Sequence, residues 1–279
     1  MLITSLQNKR IKEVVKLGGR RARDEARRTV VEGVREVERC LGAGIVPVEV
    51  YLCPELVAAE PTAQPVAHHL RGLAEQPATQ LFQVTPDVFA KMAYRGQSGG
   101  LLLVIPYLET SLDQLMTRRD PDHPPFFAVI EGVEKPGNLG AILRTADAAG
   151  VDGLIVCPGR GNGGKGTDLH NPNVVRASLG TLFTVPVAQA DSATTLAWLR
   201  HHRIAILAAT PDGDTVYTKA DMAGPVAVAA GSEAFGLTDL WLDGADHRVT
   251  IPMFGMADSL NLAASTALLL YEVVRQRSS

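Results

Sequence analysis

Three short polar segments follow apolar, strand-like runs in the C-terminal half of this 279-residue chain. The first comes after Phe126–Ile130, where a Pro-Gly turn leads to Asn138 and, six residues later, to Arg144. An asparagine at such a position either caps a helix or presents its amide to a ligand. The apolar neighbours of Arg144 indicate a side chain that extends along the surface or is directed at an anion. The segment therefore offers two candidate ligand-binding side chains near one turn.

The second polar segment follows the apolar run Val226–Ala230 and contains Gly231, Ser232 and Glu233. Glycine has no Cβ, so the backbone at Gly231 can approach a ligand closely. The serine and the acid are also ordinary residues for the start of a helix, where they cap it or supply charge to its first turn. Both interpretations place Glu233 just beyond the end of a predicted strand.

The third polar segment runs from Ile251 through a glycine-containing loop to Ser259, Leu260 and Asn261. The serine and the asparagine flank Leu260 at the predicted start of a helix. Backbone groups of Ile251 and Leu260 are placed to border a pocket for a flat ring. This segment therefore combines two polar side chains with a candidate ligand pocket.

Strand-like and helix-like segments alternate from residue 126 onward. The predicted strands are Phe126–Ile130, Gly153–Cys157, Leu182–Val187, Ile204–Ala209, Val226–Ala230 and Arg248–Ile251. The predicted helices are Asn138–Ala149, one that begins after Asn171, Asp191–His202, Phe235–Leu242 and Leu260–Arg275. These strands lack a polar–apolar alternation, which favours a parallel sheet covered on both faces. Ligands of such sheets bind at the carboxyl ends of the strands, which is where the three polar segments lie.

Residues 1–105 also alternate between strand and helix patterns, which predicts a smaller α/β domain. Its first helix pattern runs from Leu6 to Leu17 and is stopped by Gly18 and Gly19. A proline-rich stretch at Asp120–Pro125 is unfavourable for a helix and indicates a boundary. We therefore predict a first domain over residues 1–105, a linker over 106–124 and a second domain over 125–279.

Basic residues are concentrated at the N-terminus, although the whole chain has a formal net charge of −3. Residues 1–40 carry 11 Lys and Arg against 6 Asp and Glu, whereas the remaining 239 residues carry 16 against 24. Such a basic arm is either a solvated helix face or a phosphate-binding surface. No aromatic residue precedes Tyr51, so contact with a nucleic-acid backbone is favoured over base stacking.

Composition argues against several classes of protein. Hydrophobic residues make up 46% and charged residues 20%, which is typical of a globular chain rather than a disordered one. Three cysteines without a Cys-x-x-Cys pair predict neither a disulfide framework nor a structural zinc site, and they favour a reducing cytoplasm. The paired histidines His68-His69 and His201-His202 are interpreted as surface residues rather than metal ligands. No apolar run reaches the about 18 residues of a membrane span, and the N-terminus lacks the apolar stretch of a signal peptide.

In order and spacing, the three polar segments together resemble the three motifs of the SpoU/TrmH family of SPOUT RNA methyltransferases, over about residues 125–277. The resemblance implies transfer of a methyl group from S-adenosylmethionine to a ribose 2′-hydroxyl of RNA. It implies a parallel α/β sheet whose C-terminal part forms a deep trefoil knot around the cofactor, a topology that is rare in proteins. It also implies a homodimer through the knot region. Independently of the resemblance, the absence of a long apolar run and of a Cys/His cluster predicts no membrane and no metal.

The same resemblance assigns expected roles to individual residues. The expected catalytic residues are Asn138, Arg144, Glu233, Ser259 and Asn261, and the expected cofactor-binding residues are Gly231, Ile251 and Leu260. Arg144 is expected to bind the neighbouring phosphate and stabilise the developing alkoxide, because an arginine side chain stays protonated in proteins. The two asparagines are expected to orient the ribose, Arg144 or the methionine end of the cofactor. Glu233 is expected to position Asn138 or Arg144, and Ser259 to cap the third-motif helix while facing the site.

Residues 1–105 resemble, more loosely, the ribosomal-protein-like substrate-binding domain of one branch of the family. The segments Leu2–Lys12 and Val31–Val37 carry this resemblance. Many members of that branch modify large-subunit ribosomal RNA, which makes ribosomal RNA the expected substrate. The expected RNA-binding residues are Lys9, Arg10, Lys12, Arg20, Arg21, Arg275 and Arg277.

Other interpretations stay open at this point. The segment Gly159–Thr167 fits the GxxxxGK pattern, but Gly166 replaces the Ser or Thr that would hold magnesium. It also fits GxGxxG, yet no helix opens directly after it, so a loop near the RNA entrance is favoured over nucleotide hydrolysis or dehydrogenation. The alternative functions are a tRNA 2′-O-methyltransferase and a non-catalytic RNA-binding factor. The complete set of motif residues argues against the second.

Overall fold

Two sheets with helices packed on them organise the chain in a computed structural model that describes residues 2–94, 98–118, 121–160 and 167–278. The helices are α1 (Lys9–Lys16), α2 (Arg20–Ala26), α3 (Val34–Gly42), α4 (Pro54–Ala59), α5 (Ala63–Leu73), α6 (Pro86–Met92), α7 (Asp113–Arg118), α8 (Pro136–Ala149), α9 (Pro172–Ala177), α10 (Ser192–His201), α11 (Asp239–Gly244) and α12 (Leu262–Arg277). The strands are β1 (Leu2–Ile3), β2 (Arg28–Glu32), β3 (Glu49–Leu52), β4 (Gln80–Val84), β5 (Leu101–Pro106), β6 (Phe126–Glu131), β7 (Gly153–Cys157), β8 (Val187–Gln189), β9 (Ala205–Ala209), β10 (Thr215–Val216), β11 (Val226–Gly231) and β12 (His247–Thr250).

Contacts divide the chain into two units. The first comprises residues up to Leu108 together with Asp168–Thr184, and the second comprises Glu109–Thr167 with Val185–Ser279. This division differs from the predicted domains in two segments. Asp168–Thr184 packs with the N-terminal elements, and α7, in the predicted linker, belongs to the second unit because Leu112 and Leu115 are buried in its core.

The first unit contains a mixed five-stranded sheet in the order β1-β4-β3-β5-β2. Strand β4 is parallel to β1 and β3, whereas β5 is antiparallel to both β3 and β2. Helix α1 places Ile11 and Val14 in the core beneath this sheet, and the Asn8 side chain caps the helix by accepting from the Arg10 N–H. The lysines of α1 lie on the opposite, solvated face, as expected for an amphipathic helix.

Polar contacts attach Asp168–Thr184 to the rest of the first unit. The buried Arg23 pairs with Asp168 and also donates to the Leu17 and Gly18 carbonyls. The His170 ring stacks on Tyr107 with centroids 3.6 Å apart, and its Nε2 accepts from the Leu108 N–H. Burial lowers the pKa of His170 to about 4, with the cations Arg27 and Arg23 acting in the same direction. Side chains far apart in sequence therefore hold this segment in place.

The second unit contains a seven-stranded sheet in the order β10-β12-β9-β11-β6-β7-β8, in which every described pair is parallel. Strands β6 and β7 are buried along their whole length, which confirms the parallel sheet predicted from their continuous apolar sequence. Trp241 is fully buried and Trp198 packs against the same core. The predicted trefoil knot stays a prediction.

Two predicted elements are corrected by the structure, and one helix is added. Leu182–Val187 is not one strand: Thr181–Phe183 forms a 3₁₀ turn and only β8 is extended, because Gly180 adopts a φ of +83° just before it. The predicted helix Phe235–Leu242 is replaced by a tight turn followed by α11, since Gly236 has a φ of +61°. The basic arm also contains a second helix, α2, which the sequence did not predict. No helix of the described part of the chain is long and apolar enough to cross a membrane.

Candidate active site

The three polar segments of the second unit follow β6, β11 and β12, which lie close together in one parallel sheet. Strand β11 pairs with β6, so that Gly231 is the register partner of Glu131, and β9 separates β11 from β12. The carboxyl ends of parallel strands meet at one edge, and the three segments therefore converge there. This confirms the placement expected from the sequence.

Glu233 is the centre of a polar cluster drawn from all three segments. Its Oε1 accepts from the Asn261 Nδ2 at 2.5 Å and from the Asn138 Nδ2 at 3.1 Å. Its Oε2 accepts from the Lys135 Nζ at 3.2 Å. The Asn261 Nδ2 also donates to the Asn138 Oδ1 at 3.2 Å, so the two amides are ordered by each other as well as by the acid.

These bonds keep the acid ionised. The hydrogen bond from Lys135 is the largest influence, and with the Leu262 N–H and Asn138 it lowers the pKa of Glu233 below its usual value. A charged carboxylate only accepts hydrogen bonds, so both amides must turn their N–H groups towards it. Glu233 therefore sets the orientation of Asn138 and Asn261, and its contact with Asn138 is the arrangement expected from the resemblance.

The capping roles differ from those weighed in the sequence. Helix α8 begins at Pro136 after Lys135, so Asn138 is its third residue and its side chain is available to the cluster. The N-cap of α12 is Asn261, whose Oδ1 accepts from the Ala263 and Ala264 N–H groups. The expectation that Ser259 caps this helix is therefore wrong, because the chain turns into the helix two residues later. Ser259 instead lines a cavity at the ends of β9, β11 and β12.

A cavity of about 280 Å³ opens at the ends of β9, β11 and β12. Its walls include all three predicted cofactor-binding residues, Gly231, Ile251 and Leu260. The remaining lining residues are Ala209, Thr210, Pro211, Ala230, Ser232, Glu233, Gly236, Val249, Met253, Asp258, Ser259, Leu262 and Ser265. Within the described structure, the backbone N–H groups of residues 253–260 donate to no other group of the chain. Apolar walls edged by unpaired backbone donors suit a flat heteroaromatic ring with a polar tail.

The cavity wall at Gly231 depends on glycine. A Cβ there would lie 2.0 Å from the Gly236 carbonyl carbon and 2.2 Å from the Leu237 nitrogen. The turn between these residues is closed by the bond from the Gly236 N–H to the Ser232 carbonyl, at 2.8 Å. The two backbone segments therefore touch directly, and this contact shapes the wall beside Glu233.

A second cavity of about 340 Å³ lies on the other side of Glu233. It shares Ser232, Glu233 and Leu262 with the first cavity. Its other lining residues are Gly132, Val133, Glu134, Lys135, Asn138 and Ala234. Glu233, with Ser232 and Leu262, thus forms the partition between two neighbouring spaces, and Asn138 lines the second of them.

Arg144 stands apart from this cluster. It lies on α8 with an exposed side chain, and in the described part of the chain it makes no ion pair. It lines neither cavity. The structure therefore leaves its guanidinium available to an incoming anion, and the role expected for it stays a prediction.

Glu131, at the end of β6, makes buried hydrogen bonds next to the site and was not among the predicted site residues. It is 2% exposed and accepts from the Ser192 hydroxyl at 2.6 Å, the Thr238 N–H at 2.7 Å and the Thr238 hydroxyl at 3.0 Å. These bonds secure the far end of the turn that carries Glu233. The available signal was an acid that ends an otherwise apolar strand. Lys135 was also missed, although a lysine directly before a proline at a predicted helix start was visible.

The predicted RNA-binding residues of the first unit fall into two groups. Arg10 pairs with Glu49 at 2.6 Å and lies 4.3 Å from the Phe82 ring centroid. Arg20 and Arg21 form pairs within α2, with Asp24 at 3.6 Å and Glu25 at 2.8 Å. By contrast, Lys9 and Lys12 are exposed and unpaired in the described structure. Exposed pairs add little stability, so all of these cations remain available to phosphate except the partly buried Arg10.

The two C-terminal arginines are engaged within the second unit. Arg275 pairs with Glu272 at 2.7 Å. Arg277 donates to the Pro124, Pro125 and Gly224 carbonyls, and its guanidinium lies 5.1 Å from the Phe126 ring centroid. These contacts hold the end of α12 in place, and an RNA role for the pair stays a prediction.

The glycine-rich segment Gly159–Thr167 lies mostly outside the described residues, which resume at Thr167. The Thr167 hydroxyl donates to the Val133 carbonyl, next to the first motif. Gly159 packs so closely that a Cβ there would lie 2.4 Å from the Gly132 Cα. Among the described residues no cluster of metal-ligating side chains is found, and both histidine pairs lie at helix surfaces.

Comparison with known proteins supports one family. Residues 125–271 match the SpoU rRNA Methylase family, and residues 8–102 match the MRM3-like substrate binding domain. The 23S rRNA (uridine(2479)-2′-O)-methyltransferase of Streptomyces viridochromogenes is 31% identical over 94% of this chain and 88% of its own length. The 23S rRNA (guanosine-2′-O-)-methyltransferase RlmB of Shewanella oneidensis is 38% identical over 61% of this chain and 66% of its own.

Solved structures give the same result over both units. A crystal structure of an RNA 2′-O ribose methyltransferase has a TM-score of 0.80 at 38% identity and covers 100% of both chains. The SpoU methyltransferase AviRb of Streptomyces viridochromogenes, in complex with AdoMet, has a TM-score of 0.83 at 27% identity over 98% of this chain and 99% of its own. The chain belongs to the SpoU rRNA methylase family.

Proposed function

We propose that this chain transfers a methyl group from S-adenosylmethionine to a ribose 2′-hydroxyl of large-subunit ribosomal RNA. The observation that carries the proposal is the polar cluster of Glu233, Asn138 and Asn261, whose acid lines both cavities. Transfer between two substrates requires adjacent donor and acceptor sites, so that the reacting atoms can be aligned. Positioning alone supplies much of the rate acceleration. The relative from Streptomyces viridochromogenes, which matches across both units, is named for ribose methylation of 23S rRNA, and this supports ribosomal RNA over tRNA.

The first cavity is the proposed cofactor site. Gly231, Ile251 and Leu260 would hold the cofactor mainly through backbone groups, and the unpaired N–H groups of residues 253–260 supply donors. When bound, S-adenosylmethionine supplies an electrophilic methyl group on a sulfonium. A related structure, AviRb, is described in complex with this cofactor.

The chain's own residues have two tasks at the acceptor hydroxyl. Asn138 and Asn261, oriented by Glu233, present amide groups at the boundary and are proposed to orient the ribose. Arg144 remains protonated, so it binds the neighbouring phosphate and stabilises the alkoxide that develops as the hydroxyl passes its proton to solvent water. Ser259, on the cofactor side of the partition, is proposed to contact the cofactor.

The first unit is proposed to bind the RNA. The basic residues of α1 and α2 lie at the surface, and backbone phosphates are the ligands that exposed lysines and arginines suit. The match to a substrate-binding domain over residues 8–102 supports this division of labour. Affinity is expected to fall steeply with salt.

A homodimer is proposed from the surface beside the cofactor cavity. Phe254 and Met256 are fully exposed there, and Leu268 and Tyr271 are exposed by 42% and 49% on α12. Exposed apolar surface of this kind marks a candidate protein–protein interface. Light scattering with Phe254→Asp tests this, and a wild type that stays monomeric at high concentration contradicts it.

The three cysteines are free and buried, which supports a reducing compartment.

The activity is tested by transfer of labelled methyl groups to unmodified ribosomal and transfer RNA, followed by digestion to nucleosides. Wild type should produce a 2′-O-methylnucleoside in the large ribosomal RNA, and Arg144→Ala should not. Label in transfer RNA alone would replace the proposed substrate with the alternative one. Cofactor and RNA binding without transfer would favour the non-catalytic RNA-binding factor.

A further inference from the structure

The second cavity, proposed here as the groove for the acceptor RNA, has an acidic lining that is unfavourable for binding RNA. The charged side chains that line it are Glu134, Lys135 and Glu233, which give it a formal charge of −1. RNA carries one negative charge per phosphate, so an acidic groove repels the strand that must enter it. Lys135 is the one cation among the described lining residues. Without it, the formal charge of the groove would be −2.

Lys135 has N–H donors that are available to a ligand. Its side chain is 74% exposed, and its Nζ is 3.2 Å from the Glu233 Oε2. An ammonium group has three N–H donors, and the described structure uses one of them. The contact with Glu233 also restricts a long, flexible side chain before any ligand arrives, which reduces the entropy lost on binding.

Lys135 belongs to the acceptor side of the partition. It lines the second cavity and is absent from the lining of the cofactor cavity, whereas Glu233 lines both. It also directly precedes α8, three residues before Asn138, so it stands beside the group proposed to orient the ribose. A phosphate bound at Lys135 would therefore be joined to a ribose near Asn138.

We propose that Lys135 binds a backbone phosphate oxygen of the acceptor nucleotide in this groove and that Glu233 holds the lysine in position. The inference rests on the proposed function and adds an RNA-binding residue outside the three predicted sets. Glu233 then acts on both sides of the partition, by ordering the two amides and by placing the cation that offsets its own charge.

The test compares Lys135→Met, which keeps the aliphatic stem, with Lys219→Met, an exposed lysine of the same unit away from both cavities. Binding of an unmodified large-subunit ribosomal RNA transcript is measured over a series of salt concentrations, and S-adenosylmethionine binding is measured separately by calorimetry. For Lys135→Met we expect RNA affinity to fall roughly three- to tenfold at low salt and the salt slope to decrease by roughly 1. Cofactor affinity should stay within about twofold, and Lys135→Arg should recover most RNA affinity.

Several results would overturn the proposal. An unchanged salt slope would mean that the lysine only neutralises Glu233, and a loss of cofactor affinity would mean that it supports the other cavity. An equal effect of Lys219→Met would show a general charge effect. Neither binding measurement needs turnover, so a wild type that binds both ligands and transfers no methyl counts against the proposed function alone. A wild type that does not bind the transcript overturns both.

Discussion

Replacing Gly231 with alanine should distort the cofactor cavity more than the addition of one methyl group would suggest. The new Cβ would lie 2.0 Å from the Gly236 carbonyl carbon, about 1.4 Å closer than ordinary van der Waals contact at 3.4 Å. Both opposing groups are backbone, so no side chain can rotate away. The turn must open, and the 2.8 Å bond from the Gly236 N–H to the Ser232 carbonyl is lost.

The free-energy cost of Gly231→Ala follows from the steric overlap and from the lost hydrogen bond. Forcing an extra carbon into a packed region costs about 1–3 kcal/mol, and a lost hydrogen bond adds about 1 kcal/mol. Opening the turn moves the wall that Gly231, Ser232 and Glu233 give to the cofactor cavity. If 2 kcal/mol of this falls on ligand binding, the Kd for S-adenosylmethionine rises about thirtyfold.

Calorimetric titration of S-adenosylmethionine into the purified variant measures this effect, with thermal unfolding recorded in parallel. Gly224→Ala is the matched control, because a Cβ at Gly224 meets no atom within 4 Å and lies away from both cavities. The control should bind as wild type does. If Gly231→Ala binds the cofactor with wild-type affinity, the assignment of this cavity to the cofactor is wrong.

Three further predictions concern other parts of the chain. Arg144→Ala should abolish methyl transfer while cofactor affinity measured by calorimetry stays nearly unchanged, and a loss of that affinity would place Arg144 at the cofactor instead. Asn261→Ala should lower the free energy of unfolding by about 1 kcal/mol, because α12 loses its cap, and should also slow transfer because Glu233 loses a donor; an unchanged rate would confine Asn261 to capping. The His170 ring should titrate near 4 in an NMR pH series, whereas a value near 6.5 would contradict its burial. Between these pH values the unfolded chain binds a proton that the folded chain does not, so stability falls by about 3 kcal/mol as the pH drops from 6.5 to 4.

Much of the chain after residue 125 could be predicted from sequence because its signals are local. Continuous apolar runs such as Phe126–Ile130 and Val226–Ala230 indicate buried parallel strands, and both are strands in the structure. Asn171 before Pro172 indicates a helix start, which α9 confirms with an Asn171 cap. The segments that failed, near Gly180 and Gly236, depend on positive φ angles that a hydropathy pattern does not reveal.

The sequence predicted most of the residues of the candidate site, but only part of the way in which they contact one another. The motif residues Asn138, Glu233 and Asn261 do meet, because parallel strands bring their carboxyl ends to one edge. The cap of α12 was expected from Ser259, whereas Asn261 caps this helix and also donates to Glu233. Arg144, expected in the same set, lies outside the cluster.

The sequence by itself determined the alternation of strands and helices, the parallel sheet, the three polar segments and the basic arm. These follow from periodicity, caps and charge, which act over a few residues. Only the tertiary structure decided that Asp168–Thr184 packs with the first unit, that Lys135 pairs with Glu233, and that buried Glu131 secures the turn of the second motif. Such contacts join residues far apart in the chain: Arg23 and Asp168, for example, are 145 positions apart. Their energies depend on burial and on distance in space, and neither is set by neighbours along the chain.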